Sequence, residues 1–125
     1  MNEPILVDTD VMVDFLQGAE SAVELINSHS TSVMLSSLTV AELHSCVRGQ
    51  AESDILERLL SLFEIVPVSA DVAAEAGRLK RDYEKGNGLG LSHAIIAVTA
   101  MSQRAELKTR QVHRYPMIEN LVAAY

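Results

Sequence analysis

Residues 5–10 read Ile-Leu-Val-Asp-Thr-Asp, a short apolar run that stops abruptly at an acid. A run of this kind is typical of a central strand that is covered on both faces of a sheet. Similar runs at residues 32–35, 65–68 and 107–109 predict three more strands. Apolar residues recur at helical spacing between these runs. The alternation of strands and helices predicts a mainly parallel α/β sheet with helices on both faces.

The length and charge of the chain limit what it does. With 125 residues and no linker or internal repeat, residues 1–125 are expected to form a single domain. The formal net charge is −7, and no block of basic residues offsets it. This charge argues against a broad positive face for nucleic acid. An enzyme that touches RNA over a small area and offers acidic ligands to a metal remains compatible with it.

The chain has one cysteine, Cys46, which excludes an internal disulfide and a zinc site built from cysteines. Because Leu43 and Val47 lie beside it on a predicted helix, we expect a buried or half-buried thiol. The start of the sequence lacks the features of a secretion signal, and no apolar stretch reaches the roughly 20 residues that span a bilayer. We therefore expect a soluble, cytoplasmic protein without a membrane segment.

Local features predict where several elements begin and end. Gly18 is placed to end the first helix. Ser36, Ser37 and Thr39 offer N-cap side chains for a helix that follows the second strand. A loop is expected at residues 86–88, and a fifth strand at residues 121–124.

Three acids are candidates for a functional site. Asp8 directly follows the first strand, and ligands of parallel sheets bind at the carboxyl ends of the strands. A carboxylate at that place is partly desolvated and needs a cation or several hydrogen-bond donors. Asp10 precedes Val11, so it is either the N-cap of the first helix or part of the site. Glu42, within an apolar helical stretch, is either a solvated residue or a further acid of the site.

Four segments together carry a family resemblance. They are Asp8 after the first strand, Ser-Ser-Leu-Thr-Val-Ala-Glu-Leu at residues 36–43, Ala-Ile-Ile-Ala-Val-Thr-Ala at residues 94–100, and Thr-Arg-Gln at residues 109–111. In order and spacing they resemble PIN domains, the scaffold of VapC-type toxin ribonucleases, and the resemblance runs from Ile5 to Tyr125. It implies a three-layer sandwich with a central sheet of four to five strands.

The resemblance also implies an activity and a set of site residues. PIN domains of this type hydrolyse RNA phosphodiester bonds with Mg²⁺ or Mn²⁺ held by clustered acids. Asp8 and Glu42 match the first two acids of the family and would be both catalytic residues and metal ligands. The further residues expected to line the site are Thr9, Asp10, Thr109 and Gln111. As a toxin, the protein would pair with an antitoxin and form a homodimer.

Two positions depart from the family pattern. His93 stands where the family has Asp before Ala-Ile-Ile-Ala, and Gln111 stands where it has Asp or Asn. Imidazole suits Mn²⁺, Zn²⁺ or Ni²⁺ better than Mg²⁺. His93 is therefore a third metal ligand, a harmless occupant of a weakened site, or an inactivating replacement. His113 and Arg114 fall where the family often has basic residues, and they either line the RNA approach or are simply solvated.

Two other functions compete with the ribonuclease. The run Asp-Thr-Asp-Val-Met at residues 8–12 also resembles the Asp-Xaa-Asp nucleophile loop of haloacid-dehalogenase-type phosphatases. A PIN-like protein that keeps only two of four acids would instead be a binding module for an antitoxin or for RNA, without cleavage. Metal titration separates the binding module from the enzyme.

Overall fold

A computed structural model describes residues 3–29, 32–87 and 89–125, except for the side chains of residues 84–87. The strands are β1 (Ile5–Val7), β2 (Val33–Ser36), β3 (Glu64–Val66) and β4 (Glu106–Lys108). The helices are α1 (Thr9–Leu16), α2 (Glu20–Ser28), α3 (Ser37–Cys46), α4 (Gly49–Leu60), α5 (Ala70–Asn87) and α6 (Leu91–Gln103). A 3₁₀ helix, Val112–Arg114, follows β4.

The described part of the chain forms a four-stranded sheet in the order β3-β2-β1-β4, and all three strand pairs are parallel. The chain runs outward from β1 through β2 to β3, and β4 then adds to the other side of β1. Ligands of open parallel sheets bind where the strand order reverses in this way. Val7 of β1 pairs with Lys108 of β4, so Asp8 and Thr109 emerge together at that point.

The strands bury alternate residues on the two faces of the sheet. Ile5 and Val7 pack with buried side chains of α1 to α4, whereas Leu6 packs on the opposite face with α6. Helix α5 packs along α6 through Ala76. Side chains of successive strand residues point to opposite faces, which explains why a continuous apolar run fits β1. The predicted three-layer α/β sandwich is confirmed.

Two predicted boundaries are confirmed. Gly18 has φ +77° just after α1, a conformation that glycine adopts without steric cost. Ser36 is the N-cap of α3, and its hydroxyl accepts the Leu38 N–H at 3.0 Å. Because the cap is Ser36, Glu42 lies more than one turn into the helix.

Three predictions are wrong. The expected loop at residues 86–88 is helical through Asn87, and Gly88 lies outside the described residues. A glycine near the end of a helix costs only about 1 kcal/mol, which α5 tolerates. Residues 121–124, all described, form no strand, because a single hydrogen bond such as that from the Ala124 N–H to the Thr109 carbonyl makes no ladder. Cys46 is exposed, because the buried side of α3 ends one turn earlier at Leu43.

No helix in the described ranges is long and apolar enough to cross a bilayer.

Candidate active site

Asp8 begins the site as the N-cap of α1. Its extended backbone follows β1 directly, and its Oδ1 accepts the Thr9 N–H at 2.8 Å. A capping carboxylate satisfies one of the unpaired N–H groups of the first helical turn and is stabilised by the helix dipole. The capping role considered for Asp10 therefore belongs to Asp8, because β1 ends at Val7 and α1 already begins at Thr9.

The second oxygen of Asp8 is held from the buried side. Oδ2 accepts hydrogen bonds from the Thr109 hydroxyl at 2.9 Å and from the Tyr115 hydroxyl at 2.7 Å. Asp8 is only 6% exposed, and three donors compensate for the loss of water around its charge. An ionised carboxylate has about four acceptor positions, so about one remains for a further ligand.

Glu42 reaches the same region from α3. Its Oε1 lies 2.7 Å from the Thr9 hydroxyl, which is its donor. The fully buried Thr39 hydroxyl lies 3.0 Å from the same Thr9 oxygen, so α1 and α3 are joined by three side chains. This chain of hydrogen bonds restricts the direction of the Glu42 carboxylate.

Asp10 ties α1 to the segment that follows β4. Its Oδ1 accepts the Val11 N–H at 2.8 Å, and its Oδ2 accepts the Arg110 N–H at 3.0 Å. Burial raises the pKa of Asp10 above its ordinary value, and the negative charge of Asp8 raises it further, although the two N–H donors oppose both effects. Asp10 is thus a carboxyl group whose charge is disfavoured by its surroundings.

A pocket of about 290 Å³ brings most of the predicted residues together at the carboxyl ends of the strands. Among the described residues no Lys or Arg lines it, so its three acids favour the approach of a cation. The lining residues are Asp8, Thr9, Asp10, Glu42, Ser92, His93, Ile96 and Gln111. Thr109, predicted to line the site, is fully buried and supports Asp8 from behind.

The donor set fits one mode of metal binding. Within the described ranges no three His, Cys, Asp or Glu side chains are grouped so that they hold one ion. Mg²⁺ keeps several waters and is usually bound by one or two carboxylates together with substrate phosphates. Asp8 and Glu42, which line one pocket, fit that mode, whereas His93 as a third ligand remains a prediction.

His93 occupies the pocket wall in an unusual way. Its Nδ1 is buried and has no hydrogen-bond partner among the described residues. A side chain at Gly90 would put a Cβ 3.3 Å from that nitrogen, so Gly90 leaves little space beside it. The imidazole packs edge to face on the Tyr115 ring, with centroids 5.4 Å apart and planes at 83°. Buried polar atoms normally have partners, so Nδ1 is the unsatisfied group of this site.

Four residues of the site were not predicted. Ser92 and Ile96 line the pocket from α6, Thr39 supports Thr9, and Tyr115 binds Asp8. Ile96 lies three residues after His93 and four after Ser92, so helical spacing predicts that the Ile96 side chain is next to both. Tyr115 follows β4 by several irregular residues, and no periodic pattern indicates where its hydroxyl points.

Helix α1 also carries an ion pair beside the site. The Arg110 guanidinium donates to Asp14 Oδ2 at 2.9 Å, and the Tyr125 hydroxyl donates to the same oxygen. Neither Asp14 nor Tyr125 lines the pocket. His113 and Arg114 are exposed on the 3₁₀ helix that follows Gln111.

Sequence comparison links the chain to known proteins. Residues 5–110 match the model of the PIN domain family. The chain is 35% identical to Ribonuclease VapC10 of Mycobacterium tuberculosis over 120 residues, which cover 94% of this chain and 90% of that protein. It is 34% identical to Ribonuclease VapC19 of the same organism, over 96% of this chain and 98% of the relative.

Solved structures agree with this relationship. A toxin–antitoxin complex from Klebsiella pneumoniae contains a chain with a TM-score of 0.84 and 27% identity, covering 97% of this chain and 98% of that one. FitAcB from Neisseria gonorrhoeae gives a TM-score of 0.73 and 28% identity over 89% and 90% of the two chains. These relationships extend over most of the chain and therefore outweigh the phosphatase resemblance, which covered residues 8–12 alone. The chain belongs to the PIN domain family.

Proposed function

We propose that this protein is a metal-dependent endoribonuclease that hydrolyses RNA phosphodiester bonds and acts as the toxin of a toxin–antitoxin pair. The observation that carries the proposal is the acidic pocket at the strand ends, where three donors fix the buried Asp8 beside Glu42. The names of the two mycobacterial relatives, both ribonucleases, support the choice of RNA as substrate.

Asp8 and Glu42 are the residues that would hold Mg²⁺ or Mn²⁺. A divalent cation supplies Lewis acidity at a phosphate and lowers the pKa of a bound water. Thr9 orients both acids, because its N–H binds Asp8 and its hydroxyl binds Glu42. His93 would add a nitrogen ligand, which favours Mn²⁺ over Mg²⁺.

The RNA would contact the protein over a small area. Gln111 lines the pocket and offers amide N–H donors to a phosphate oxygen. In the same segment, the exposed Arg114 and the exposed Arg110, which pairs with Asp14, carry positive charge, and the exposed His113 lies between them. The net charge of −7 argues against a broad RNA-binding face, so we place the contact with RNA in this segment, next to Gln111.

The proposed domain spans the whole chain, 1–125, rather than the matched residues alone. Tyr115, beyond the matched range, binds Asp8, and the Ala124 N–H donates to the Thr109 carbonyl at 2.8 Å. Residues after 110 therefore complete the site. An RNA substrate would also place the protein in the cytoplasm.

An apolar groove suits the antitoxin. It encloses about 660 Å³ between α1, α2 and α4, and Leu62 and Ile55 at its wall are 71% and 58% exposed. Arg58 lines the same groove and offers a charge to an acidic residue of the partner. An amphipathic helix binds in grooves of this kind through a few apolar anchors. Leu62→Glu is expected to weaken antitoxin binding in a pull-down without lowering RNA cleavage by the free protein.

We also propose a homodimer, formed through the segments 56–63 or 72–83; in the first case it would compete with the antitoxin for the groove that Leu59 and Leu62 line. Light scattering at tens of micromolar, a range in which specific dimers usually persist, tests this assembly. A monomer at that concentration would contradict it.

RNA cleavage tests the proposed function directly. The purified chain is incubated with a mixed set of structured RNAs and with DNA of the same sequences, in Mg²⁺, in Mn²⁺ and in EDTA. We expect cleavage of RNA only, and only with a metal ion. The alternative, a binding module without catalysis, predicts RNA or antitoxin binding but no cleavage and no metal uptake in calorimetry at millimolar Mn²⁺.

A further inference from the structure

Tyr115 is a buried tyrosine that touches the proposed active site from outside the matched family range. It lies between the 3₁₀ helix and a turn at Pro116, and it is 1% exposed. Its hydroxyl donates to Asp8 Oδ2 at 2.7 Å. A buried hydroxyl needs a partner, and here the partner is the acid at the centre of the site.

The side chain makes two different contacts with the pocket residues. The Thr109 and Tyr115 hydroxyls converge on one oxygen of Asp8, so that oxygen is saturated from the buried side. The ring of Tyr115 also supports the His93 imidazole in an edge-to-face contact. One side chain therefore fixes both Asp8 and the residue at the third acidic position of the family.

The Tyr115 hydroxyl is the donor in this hydrogen bond, because the oxygen of an ionised carboxylate can only accept.

We propose that Tyr115 is a positioning residue, whose hydroxyl orients the Asp8 carboxylate so that its remaining acceptor position faces the pocket and a divalent cation. This inference rests on the metal site of the proposed function, but it does not require that the protein cleaves RNA. Residues that hydrogen-bond to metal ligands typically contribute 10–100-fold to metal affinity or activity.

Calorimetric titration of the full chain with Mn²⁺ alone, without RNA, tests the proposal. Tyr115→Phe removes the hydroxyl and keeps the ring that supports His93. We expect its dissociation constant for Mn²⁺ to be about 10–100-fold weaker than that of the wild type. Tyr125→Phe is the matched control, because it also removes a tyrosine–carboxylate bond, here to Asp14 outside the pocket, and its Mn²⁺ affinity should be unchanged.

RNA kinetics at saturating Mn²⁺ give a second measurement. Tyr115→Phe should lower kcat and leave KM for RNA unchanged, which a general loss of stability would not do. Equal Mn²⁺ affinities of the wild type and Tyr115→Phe, no Mn²⁺ binding by the wild type, or loss of the fold in Tyr115→Phe would each overturn the proposal. If the wild type binds Mn²⁺ but does not cleave RNA, the proposed ribonuclease function is wrong. The role of Tyr115 is then decided by the Mn²⁺ titration alone.

Discussion

The Thr9 hydroxyl donates a 2.7 Å hydrogen bond to Glu42 Oε1, across 33 residues of sequence. The same residue donates its N–H to Asp8 Oδ1 at 2.8 Å. Thr9 thus links the acid at the end of β1 with the acid on α3. The separation and direction of the two carboxylates depend on one side chain of the first helical turn.

Thr9→Val should misorient Glu42 while keeping the shape of the side chain. We expect RNA cleavage to fall by about 10–100-fold, the usual effect of removing a partner of a metal ligand. Stability should fall by about 1 kcal/mol, because the buried Thr39 hydroxyl loses a neighbour. Initial rates and thermal melting measure the two effects. Thr9→Ser keeps the hydroxyl and should retain most activity, and full activity in Thr9→Val would contradict this role.

Asp10 should give stability a specific dependence on pH. Burial and the charge of Asp8 raise its pKa in the folded protein above 3.8, so the folded state binds the proton more tightly than the unfolded state. This contribution to stability is complete below 3.8 and is lost as the pH rises through the folded pKa. The free energy of unfolding of the wild type, minus that of Asp10→Asn, should therefore increase as the pH falls through this window.

Denaturant unfolding at a series of pH values measures that difference. Asp54→Asn is the control, because Asp54 is exposed on α4, accepts a hydrogen bond from the Gln50 amide and does not line the pocket. Its difference from the wild type should not rise in the same window. A difference for Asp10→Asn that stayed constant or fell with decreasing pH would show that its charge is not disfavoured in the folded state.

His93→Asp should restore metal binding of the family type. A third carboxylate beside Asp8 and Glu42 is expected to strengthen Mg²⁺ binding by about 1–3 kcal/mol, as for a partly screened close pair. Without metal, the added charge should lower stability, because a fourth acid then joins Asp8, Asp10 and Glu42 in one pocket. Melting temperatures with EDTA and with Mg²⁺ should therefore shift in opposite directions relative to the wild type. If neither Mg²⁺-dependent stabilisation nor cleavage increases, His93 is not at the metal site.

The fold was predictable because its signals are local and periodic. The run at residues 5–7 ends at Asp8, and its lack of polar residues follows from burial on both faces of the sheet. Parallel connections then bring the strand ends to one edge, so Asp8 and Glu42 could be expected near each other. The tail was predicted less well, because residues 121–124 are apolar without forming a ladder.

The hydrogen-bond partners that hold the acids of the site could not be predicted from the sequence. Tyr115 and Asp8 are 107 residues apart, and their hydrogen bond depends on an irregular segment after β4. The N-cap illustrates the same limit, because Asp8 and Asp10 both offer a capping carboxylate and only the backbone at the end of β1 decides between them. Family resemblance identified the acids but not the hydroxyl groups that orient them.

Asp8→Asn should destabilise the protein in EDTA. Relief of repulsion between Asp8 and Glu42 would by itself predict a gain in stability. However, Asp8 accepts three hydrogen bonds, and an amide has one oxygen, so its NH₂ group would face a donor. We expect a loss of about 1–3 kcal/mol in the free energy of unfolding. A rise in melting temperature would mean that repulsion outweighs these bonds.

Cleavage of structured RNA by the wild type and by Asp8→Asn, at saturating Mn²⁺ and at a temperature where both are folded, shows whether this pocket is the ribonuclease site. We expect metal-dependent cleavage by the wild type and by Asp54→Asn, and a loss of about 100-fold or more in Asp8→Asn, comparable to removal of a key electrostatic group. Cleavage by Asp8→Asn at the wild-type rate would contradict the assignment of this pocket as the ribonuclease site.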